Sequence, residues 1–371
     1  MTPNPAVGIL LHAIGGFAAG TFYSPIKKVK SWSWETAWLV MGLAAWLACP
    51  WIAAYLTTPK LGAIIGEGLQ TQQHAILLTI MFGFLWGFGN LTYGMAARYL
   101  GIALGGSVAL GFCMLFGTVM PPIFAGEASK FWADSSGLMI SLGLGLGLFG
   151  IALCGEAGRR RDLETSKLAS DAAGEIERFD FRKGIMVAVI AGILSACFSF
   201  GLEGTGKPLA AISAAKGTDP LYKNNVVLIA VLTGGFLSNA LICLWMNARN
   251  RTFGDYTRFD GRYLRNLALA WLAGVTWFFQ FFFYGMGSAK LGDSYAFASW
   301  TIHMAFIVVF LNMWGLIFRE WRGTSSKTQS FVWAGILILI GSTVVIGWGN
   351  KIAAPPSPGE APAAAESNQS A

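Results

Sequence analysis

The chain carries few charged residues for its length. Of its 371 residues 12% are charged and 54% are hydrophobic, whereas a soluble protein of ordinary composition has about 25% charged residues. This shortage excludes an ordinary soluble globular domain. The formal net charge of +7 would suit a nucleic-acid partner, but the basic residues lie in loops between long apolar segments. We therefore expect no nucleic acid.

The usual sequence patterns of metal, redox and enzyme sites are missing as well. The five cysteines fall in five different apolar segments, with no CxxC and no metal-ligand spacing, so we interpret them as small buried hydrophobic residues. HExxH, GxSxG, P-loop and dinucleotide motifs do not occur in a suitable context. The sequence thus predicts no enzyme, no metal site and no cofactor.

What the chain has in abundance is apolar segments long enough to cross a bilayer of roughly 30 Å at about 1.5 Å per helical residue. They predict an all-α integral membrane protein with ten transmembrane helices. The N-terminus lacks a basic region and a small-residue cleavage site, so the first segment is expected to be a retained span. The predicted spans are 6–24, 34–57, 75–97, 101–124, 136–155, 184–204, 224–247, 266–288, 295–318 and 331–349.

One stretch of sequence occurs twice, at an offset of 191 residues. GFLWGFGNLTYGMAARYLG at 83–101 and GVTWFFQFFFYGMGSAKLG at 274–292 agree at eight of nineteen positions, with Trp, Tyr-Gly-Met and Leu-Gly in one register. The match places the third span over the eighth, so the chain divides into two groups of five. Because five is odd, the second group enters from the opposite side. This predicts two inverted five-helix repeats, a frequent build of secondary transporters.

The distribution of Lys and Arg predicts the orientation. Alternate loops hold 19 of the 26 basic residues and the other loops hold 7; the richer side is expected to be cytoplasmic, which leaves both termini periplasmic. We predict a first repeat at 1–155, a charged cytoplasmic linker at 156–183, a second repeat at 184–350 and a disordered tail at 351–371. The linker is typical of a solvated connection, with a regulatory docking segment as the alternative.

Polar side chains at membrane depth are the candidate functional residues, because they are costly in hydrocarbon and tend to face a cavity or a partner. Amides, imidazoles and hydroxyls bond hydroxyl groups, and indole faces pack on the C–H groups of a sugar ring, so the set favours a neutral polyol. No carboxylate pair lies in mid-span, which argues against a carboxylate-driven polyamine or quaternary-ammonium pump. The candidates are His12, Asn90, Tyr93, Gln280, Tyr284, Ser299, Trp300 and His303.

Most of these residues also have a purely structural interpretation. A lone amide such as Asn90 or Gln280 can bridge two helices, and this is the favoured interpretation of two further amides, Asn239 and Asn312. A buried histidine can satisfy a neighbouring carbonyl. The deep positions of two of the three histidines favour function, since imidazole titrates near neutral pH.

Three charged residues lie near the ends of predicted spans. Glu35 is at the inner end of the second span, and Glu203 with Lys207 is near the outer end of the sixth. Long charged side chains at such positions commonly snorkel to the interface. Snorkelling or an interfacial ion pair is therefore the expected role of all three.

Three blocks of the sequence carry a family resemblance. The first is FYSPIKKVKSWSWETAW at 22–38, preceded by His12; the second is GFGNLTYG at 87–94, continuing to RYLG at 98–101; the third is QFFFY at 280–284, followed by SWxxHM at 299–304 and EW at 320–321. Over about residues 6–350 the chain resembles the bacterial L-rhamnose–proton symporter family, within the drug/metabolite transporter superfamily. The tail, the content of 156–183 and the charged Glu203 depart from the family pattern.

The resemblance implies a ten-span fold and symport of L-rhamnose or a related 6-deoxy-hexose with a proton into the cell across the cytoplasmic (inner) membrane. The sugar, protons and the lipid bilayer are then the expected partners. On this hypothesis His303, with His12 second, carries the coupling proton. The expected substrate-binding residues are His12, Asn90, Tyr93, Gln280, Tyr284, Ser299 and Trp300.

Two other classes of protein stay open at this point. The same fold running in the opposite direction would make a metabolite or drug exporter, which aromatic cations rather than sugars would stabilise. A membrane receptor or scaffold would bind sugar without moving it. If the carboxylate of Glu203 faced the substrate cavity of such a transporter, proton coupling or substrate choice would differ from that of the family.

Overall fold

The computed structural model describes residues 3–100, 102–169, 181–292, 296–319 and 321–353. Within these ranges the regular secondary structure is helical and contains no strand. The predicted all-α class is therefore confirmed. The predicted linker and tail fall partly outside the described residues, at 170–180 and 354–371.

Fourteen α-helices build the described part of the chain. They are α1 Pro5–Thr21, α2 Tyr23–Ile26, α3 Trp34–Gly42, α4 Cys49–Thr57, α5 Leu61–Thr71, α6 Gln73–Leu100, α7 Ile102–Phe124, α8 Ser135–Ala169, α9 Phe181–Ser199, α10 Lys207–Ala215, α11 Asn225–Asn250, α12 Tyr263–Leu291, α13 Ala298–Ile317 and α14 Ser326–Ala353.

Nine helical segments within the described ranges are long and apolar enough to cross a membrane. They correspond to every predicted span except the third, whose helix α6 has its apolar part at Gln73–Gly89. A multi-pass membrane protein is thus confirmed, while the tenth span stays a prediction. The nine segments are Pro5–Ile26, Trp34–Thr57, Gly105–Phe124, Ser135–Glu164, Arg182–Thr205, Pro220–Asn250, Tyr263–Leu291, Ala298–Ile317 and Ser326–Ala353.

Two of these segments contain a π-helical turn. Residues Leu43–Ala48 join α3 to α4, and Phe200–Thr205 join α9 to α10. A proline follows each turn, Pro50 in the first case and Pro208 in the second. Proline has no backbone N–H to give to the carbonyl four residues earlier, so the regular α-helical pattern cannot continue across either position. Such π turns frequently occur at functional sites.

The helices pack in pairs that are distant in sequence. α8 lies along α14, α6 lies against both α9 and α11, α1 lies against both α12 and α13, and α7 packs on α9. Glycine allows the closest approaches, because lipid gives no hydrophobic drive for helix association and contact depends on tight packing. A Cβ on Gly83 of α6 would overlap the carbonyl oxygen of Val231 in α11, and one on Gly274 of α12 would lie 2.5 Å from that of Met41 in α3.

The structure corrects the expectation for Glu35. Glu35 does not snorkel to the interface: it is 3% exposed and accepts hydrogen bonds from Asn250 Nδ2 and Thr252 Oγ1, both at 2.9 Å. It therefore ties the start of α3 to the end of α11. Asn239 bridges helices as expected, since its Oδ1 accepts from Trp38 Nε1 at 3.1 Å.

The predicted role of the cysteines is confirmed. All five are free thiols, and all but the partly buried Cys49 are buried. Their spread over different helices agrees with the absence of paired spacings in the sequence.

We expect Gly83→Ala to destabilise the bundle by about 1–3 kcal/mol, because the added methyl group would separate the backbones of α6 and α11. The measurement is the thermal unfolding midpoint of the purified protein in detergent. Gly145→Ala is the matched control, since nothing lies within 4 Å of a Cβ at that exposed position of α8. Equal midpoints for the two variants would contradict the close approach.

Candidate functional site

Three tryptophans form an aromatic layer in the interior, where α6, α12 and the first π turn meet. The ring centroid of Trp46 lies 6.0 Å from that of Trp86 and 5.6 Å from that of Trp277. The centroids of Trp86 and Trp277 are 5.6 Å apart. Trp46 is 1% exposed. Phe198 of α9 extends the layer, packing on Trp86 at 5.1 Å and stacking on Phe281 at 3.9 Å.

Next to this layer lies a cluster of polar rings, which we call the histidine cluster: His12, Tyr284 and His303. The two imidazole centroids are 6.0 Å apart, and each lies 5.2 Å from the centroid of the Tyr284 ring. The three residues come from α1, α12 and α13 and have no exposed surface. The fold therefore brings together three residues that the sequence had placed in three separate spans.

Two glycines allow this close assembly. A Cβ on Gly15 of α1 would lie 2.8 Å from the carbonyl oxygen of Gln280 and 3.4 Å from Cε1 of His303. A Cβ on Gly287 of α12 would lie 2.9 Å from Nε2 of His12. A side chain at Gly287 would displace the imidazole of His12, and one at Gly15 would push against the backbone of α12 at Gln280, so the glycines shape the site as well as the helix contacts.

The histidine cluster and two residues of the same helices, Gln280 and Ser299, contain buried polar atoms that have no hydrogen-bond partner among the described residues. They are Nδ1 and Nε2 of His12, Nδ1 and Nε2 of His303, Nε2 of Gln280 and Oγ of Ser299. Leaving a buried donor or acceptor unpaired costs about 1–3 kcal/mol, and such groups are rare in native proteins. Six of the nine such atoms in the described residues belong to these four residues, the others being Trp46 Nε1, Thr58 Oγ1 and Trp321 Nε1, which makes the histidine cluster the candidate ligand site.

Trp300 forms one wall of this site. Its indole Nε1 donates to the carbonyl oxygen of Cys113 at 3.0 Å, its ring lies against Gly117, and its centroid is 5.8 Å from that of Tyr284. In this conformation the indole is also stacked with Phe198 at 6.1 Å. The hydrogen bond fixes the ring plane, which is a requirement for a stacking surface.

Of the remaining predicted site residues, Tyr93 lies elsewhere and Asn90 lies in α6 with a side chain outside the described residues. Tyr93 lines a cavity of about 360 Å³, a size typical of small-molecule sites, which span about 300–1,000 Å³. Its hydroxyl oxygen would lie 2.6 Å from a Cβ on Gly106. Tyr93 and Tyr284, equivalent in the sequence repeat, therefore occupy different sites.

The cavity lined by Tyr93, which we call the larger cavity, lies at one end of the bundle. We call this end the basic end, because Lys27 and Arg161 line the cavity there. Its lining also includes Asn312, whose Nδ2 donates to the carbonyl oxygen of Val308 in the same helix at 2.9 Å. Along α13 the nearest lining residue to His303 is Val308, five residues or about 7.5 Å away. The histidine cluster therefore lies deeper in the bundle than the larger cavity, about one and a half helical turns beyond its innermost lining residue in α13.

A second, much smaller pocket lies at the opposite end of the bundle. Its volume is about 20 Å³, and its lining includes Glu127, Lys130, Glu203 and Lys207. The two cavities face opposite ends of the same helices, with the histidine cluster between them.

The structure corrects the snorkelling that was one of the two roles expected of Glu203. Snorkelling is wrong for this carboxylate, because it is 7% exposed and Oε1 accepts a hydrogen bond from the hydroxyl of Tyr284 at 2.9 Å. The π turn at Phe200–Thr205 directs it inward. The sequence signal that favours this position is Pro208 following a Gly-Leu-Glu-Gly segment in an otherwise apolar span.

The described residues contain no group of three or more His, Cys, Asp or Glu side chains placed to hold a metal ion. A multi-pass bundle with a buried, partly unsatisfied polar site between two cavities is typical of a secondary transporter. The fold and the site therefore place the protein in the class of multi-pass membrane transporters.

Comparison with known proteins identifies the family. The family model of the L-rhamnose-proton symport protein (RhaT) matches residues 1–352. A protein of Cronobacter sakazakii named L-rhamnose-proton symporter is 34% identical over 347 residues, covering 92% of this chain and 97% of the relative. A protein of the same name from Salmonella paratyphi A is 34% identical over 346 residues, with the same coverage. The chain belongs to the L-rhamnose-proton symport protein family, which is a family of transporters and not of enzymes.

We expect His303→Leu to leave the thermal stability unchanged or to raise it by about 1 kcal/mol or more, because two unpaired buried nitrogens are replaced by an apolar side chain of similar volume. The measurement is the unfolding midpoint in detergent. Asn239→Leu is the control, since that amide is equally buried but has both a donor and an acceptor bond, and its loss should lower the midpoint. A large destabilisation by His303→Leu would show that His303 is a structural residue.

Proposed function

We propose that this chain is a proton-coupled symporter that takes up L-rhamnose or a related 6-deoxy-hexose across the cytoplasmic membrane by alternating access. The observation that carries the proposal is the histidine cluster with its unpaired polar atoms, buried between two cavities at opposite ends of the bundle. Family membership supports the substrate, since the relatives are named L-rhamnose-proton symporters.

We infer a ten-helix architecture of two inverted five-helix repeats, with α6 as the tenth span. The helix packing supports this inference. In the two repeats α1 is equivalent to α9, α6 to α12 and α7 to α13. The contacts of α9 with α6 and α7 in the structure match those of α1 with α12 and α13. The glycine contacts agree, because Gly83 meets α11 and its repeat partner Gly274 meets α3. The repeat-equivalent Trp86 and Trp277 rings lie 5.6 Å apart, as expected near an axis relating the halves.

The proposed domains are a first repeat at 1–155 and a second repeat at 184–350, with the charged linker at 156–183 between them and a tail at 351–371. α8 continues beyond 155 to Ala169, so the last span of the first repeat extends as a helix into the linker. The basic end is the proposed cytoplasmic side, and both termini are then periplasmic.

The described conformation supports an inward-facing assignment. The cavity at the basic end has a volume of about 360 Å³, and the pocket at the opposite end about 20 Å³. A sugar leaving the histidine cluster would enter the larger cavity and pass Tyr93 and Asn312 on its way to the cytoplasm.

The sugar site is the proposed role of the unpaired atoms. His12 and Gln280 supply nitrogen donors and acceptors to sugar hydroxyls, Ser299 and Tyr284 supply hydroxyls, and Trp300 supplies an apolar face to the sugar ring. Asn90 of α6 completes the proposed set, and Tyr93, which lines the larger cavity, is proposed to contact the sugar on its way to the cytoplasm. These hydrogen-bonding groups suit the hydroxyls of a neutral polyol. The apolar face of Trp300 suits the methyl-bearing face of a deoxy-hexose.

The coupling proton is proposed to reside on His303, with His12 as the second ring. Two positive imidazolium rings 6.0 Å apart would repel each other by about 3 kcal/mol at an effective dielectric constant of about 20. The pair is therefore expected to hold one proton at a time. One proton moving with a neutral sugar carries one charge inward, which a potential of 100 mV drives with about 2.3 kcal/mol.

The exporter alternative requires a ligand with different chemistry. An exported aromatic cation would need a buried carboxylate free of other partners, whereas the carboxylate nearest the histidine cluster, Glu203, already accepts from Tyr284 at 2.9 Å. The names of the relatives also favour symport.

We expect purified protein in proteoliposomes to accumulate labelled L-rhamnose when an inward proton gradient is applied, and a protonophore to abolish the accumulation. His303→Ala should lose gradient-driven accumulation while retaining exchange of labelled for unlabelled sugar, because the variant keeps the substrate site but not the coupling proton. Unchanged accumulation by this variant would remove His303 from the mechanism. Uptake that fails in folded wild-type protein would refute the proposed substrate.

The orientation can be tested by thiol labelling in a variant without native cysteines. Asn312→Cys lines the larger cavity and should react with a membrane-impermeant maleimide in inside-out vesicles but not in intact cells. Ser342→Cys, at a fully buried position of α14, is the control and should stay unlabelled in both. Labelling of Asn312→Cys in intact cells alone would invert the proposed topology.

A further inference from the structure

We propose that Glu203 is a second proton-binding residue of this protein, through which the coupling proton enters from the end opposite the basic end. The hydroxyl of Tyr284 would connect Glu203 to the histidine cluster. This inference rests on the proposed symport function and assigns a role to a residue that departs from the family pattern.

The first argument is the position of the carboxylate. Glu203 lies in the π turn Phe200–Thr205, where the backbone N–H of Gly206 donates to the carbonyl oxygen of Gly201 at 2.8 Å. The wider turn inserts an extra residue relative to an α-helix and turns the side chain inward. A carboxylate that is 7% exposed near the end of a span is costly to keep, so a function is the default explanation.

The second argument is the connection that Tyr284 makes. Its hydroxyl donates to Glu203 Oε1 at 2.9 Å, while its ring lies 5.2 Å from each imidazole centroid. A tyrosine hydroxyl has a single proton and can donate to one acceptor at a time. The ring that carries the hydroxyl bonded to the carboxylate therefore packs against both buried histidines.

The third argument is access from the aqueous side. Glu203 lines the pocket of about 20 Å³ at the end opposite the larger cavity, and a space of at least about 10–15 Å³ holds a water molecule. The other charged groups in the lining are Lys207 of α10, Lys130 and Glu127. Lys130 pairs with Glu127 at 2.9 Å. Within the described residues, α6, α7 and α11 add no charged side chain to this lining.

The proton transfer follows from these contacts. Glu203 takes a proton from the pocket and becomes neutral, which weakens its bond with Tyr284, because hydrogen bonds to charged acceptors are roughly twice as strong as neutral ones. The Tyr284 oxygen then gives its proton to an unpaired imidazole nitrogen and receives the proton of Glu203. The carboxylate is restored, tyrosine is unchanged and one histidine has gained one proton. Bonds between heavy atoms are the same before and after.

The test compares Glu203→Gln with Glu127→Gln, which removes the same charge from the same pocket without touching Tyr284. In proteoliposomes with labelled L-rhamnose, Glu203→Gln should reduce gradient-driven accumulation and sugar-induced proton uptake by about tenfold or more. Its sugar exchange should continue at a rate that no longer depends on external pH. Glu127→Gln should behave as wild type, and Glu203→Asp should restore part of the coupling.

The outcomes separate this inference from the proposed function. If wild-type protein does not move L-rhamnose, the proposed function fails. If wild type and Glu203→Gln show the same coupled uptake and the same pH profile, only the role of Glu203 fails. Should Glu203→Gln not fold, Tyr284→Phe is the second variant: the proposal expects its L-rhamnose-induced thermal stabilisation to lose pH dependence, and a pH profile like that of wild type would overturn it.

Discussion

Backbone polar groups within a bilayer must find their hydrogen bonds inside their own helix, and this constraint shapes the whole molecule. Each long segment is consequently a helix, and association between helices depends on close packing at small residues. Gly83 and Gly274 bring α6 onto α11 and α12 onto α3, while Gly15 and Gly287 leave room for the two imidazoles. The same small residues thus hold the bundle together and open the space in which the polar site lies.

The exceptions to this constraint are informative. The polar atoms of His12, His303, Gln280 and Ser299 are buried without a partner among the described residues, although other buried polar groups, such as Asn239 and Glu35, are satisfied. Among the described residues, six of the nine unpartnered buried side-chain atoms therefore belong to these four residues, and the other three are Trp46 Nε1, Thr58 Oγ1 and Trp321 Nε1. On the proposed function, a sugar that forms hydrogen bonds with these atoms removes the cost of leaving them unpaired, which favours a polyol as the ligand.

In the proposed mechanism, the arrangement also separates the path of the sugar from the entry of the proton. The larger cavity connects the neighbourhood of the histidine cluster with the basic end, and Glu203 with Tyr284 connects the cluster with the opposite end. A symporter needs a site that both routes reach in turn, so that neither species crosses alone. Tyr284 is the residue common to both, because it touches the carboxylate, the two histidines and Trp300.

The sequence by itself determined the helical membrane class and indicated candidate site residues, because hydrophobic length and polar residues at mid-span are local properties. His12, Tyr284, Trp300 and His303 were candidates because of their depth and the family resemblance, and the structure shows that their rings lie close together. Only the tertiary structure decided that Tyr93 lines the larger cavity and that Glu203 points inward. Both depend on contacts between helices far apart in the chain and on a π turn, and whether a carboxylate near a span end reaches water or a buried hydroxyl is set by which helix lies beside it.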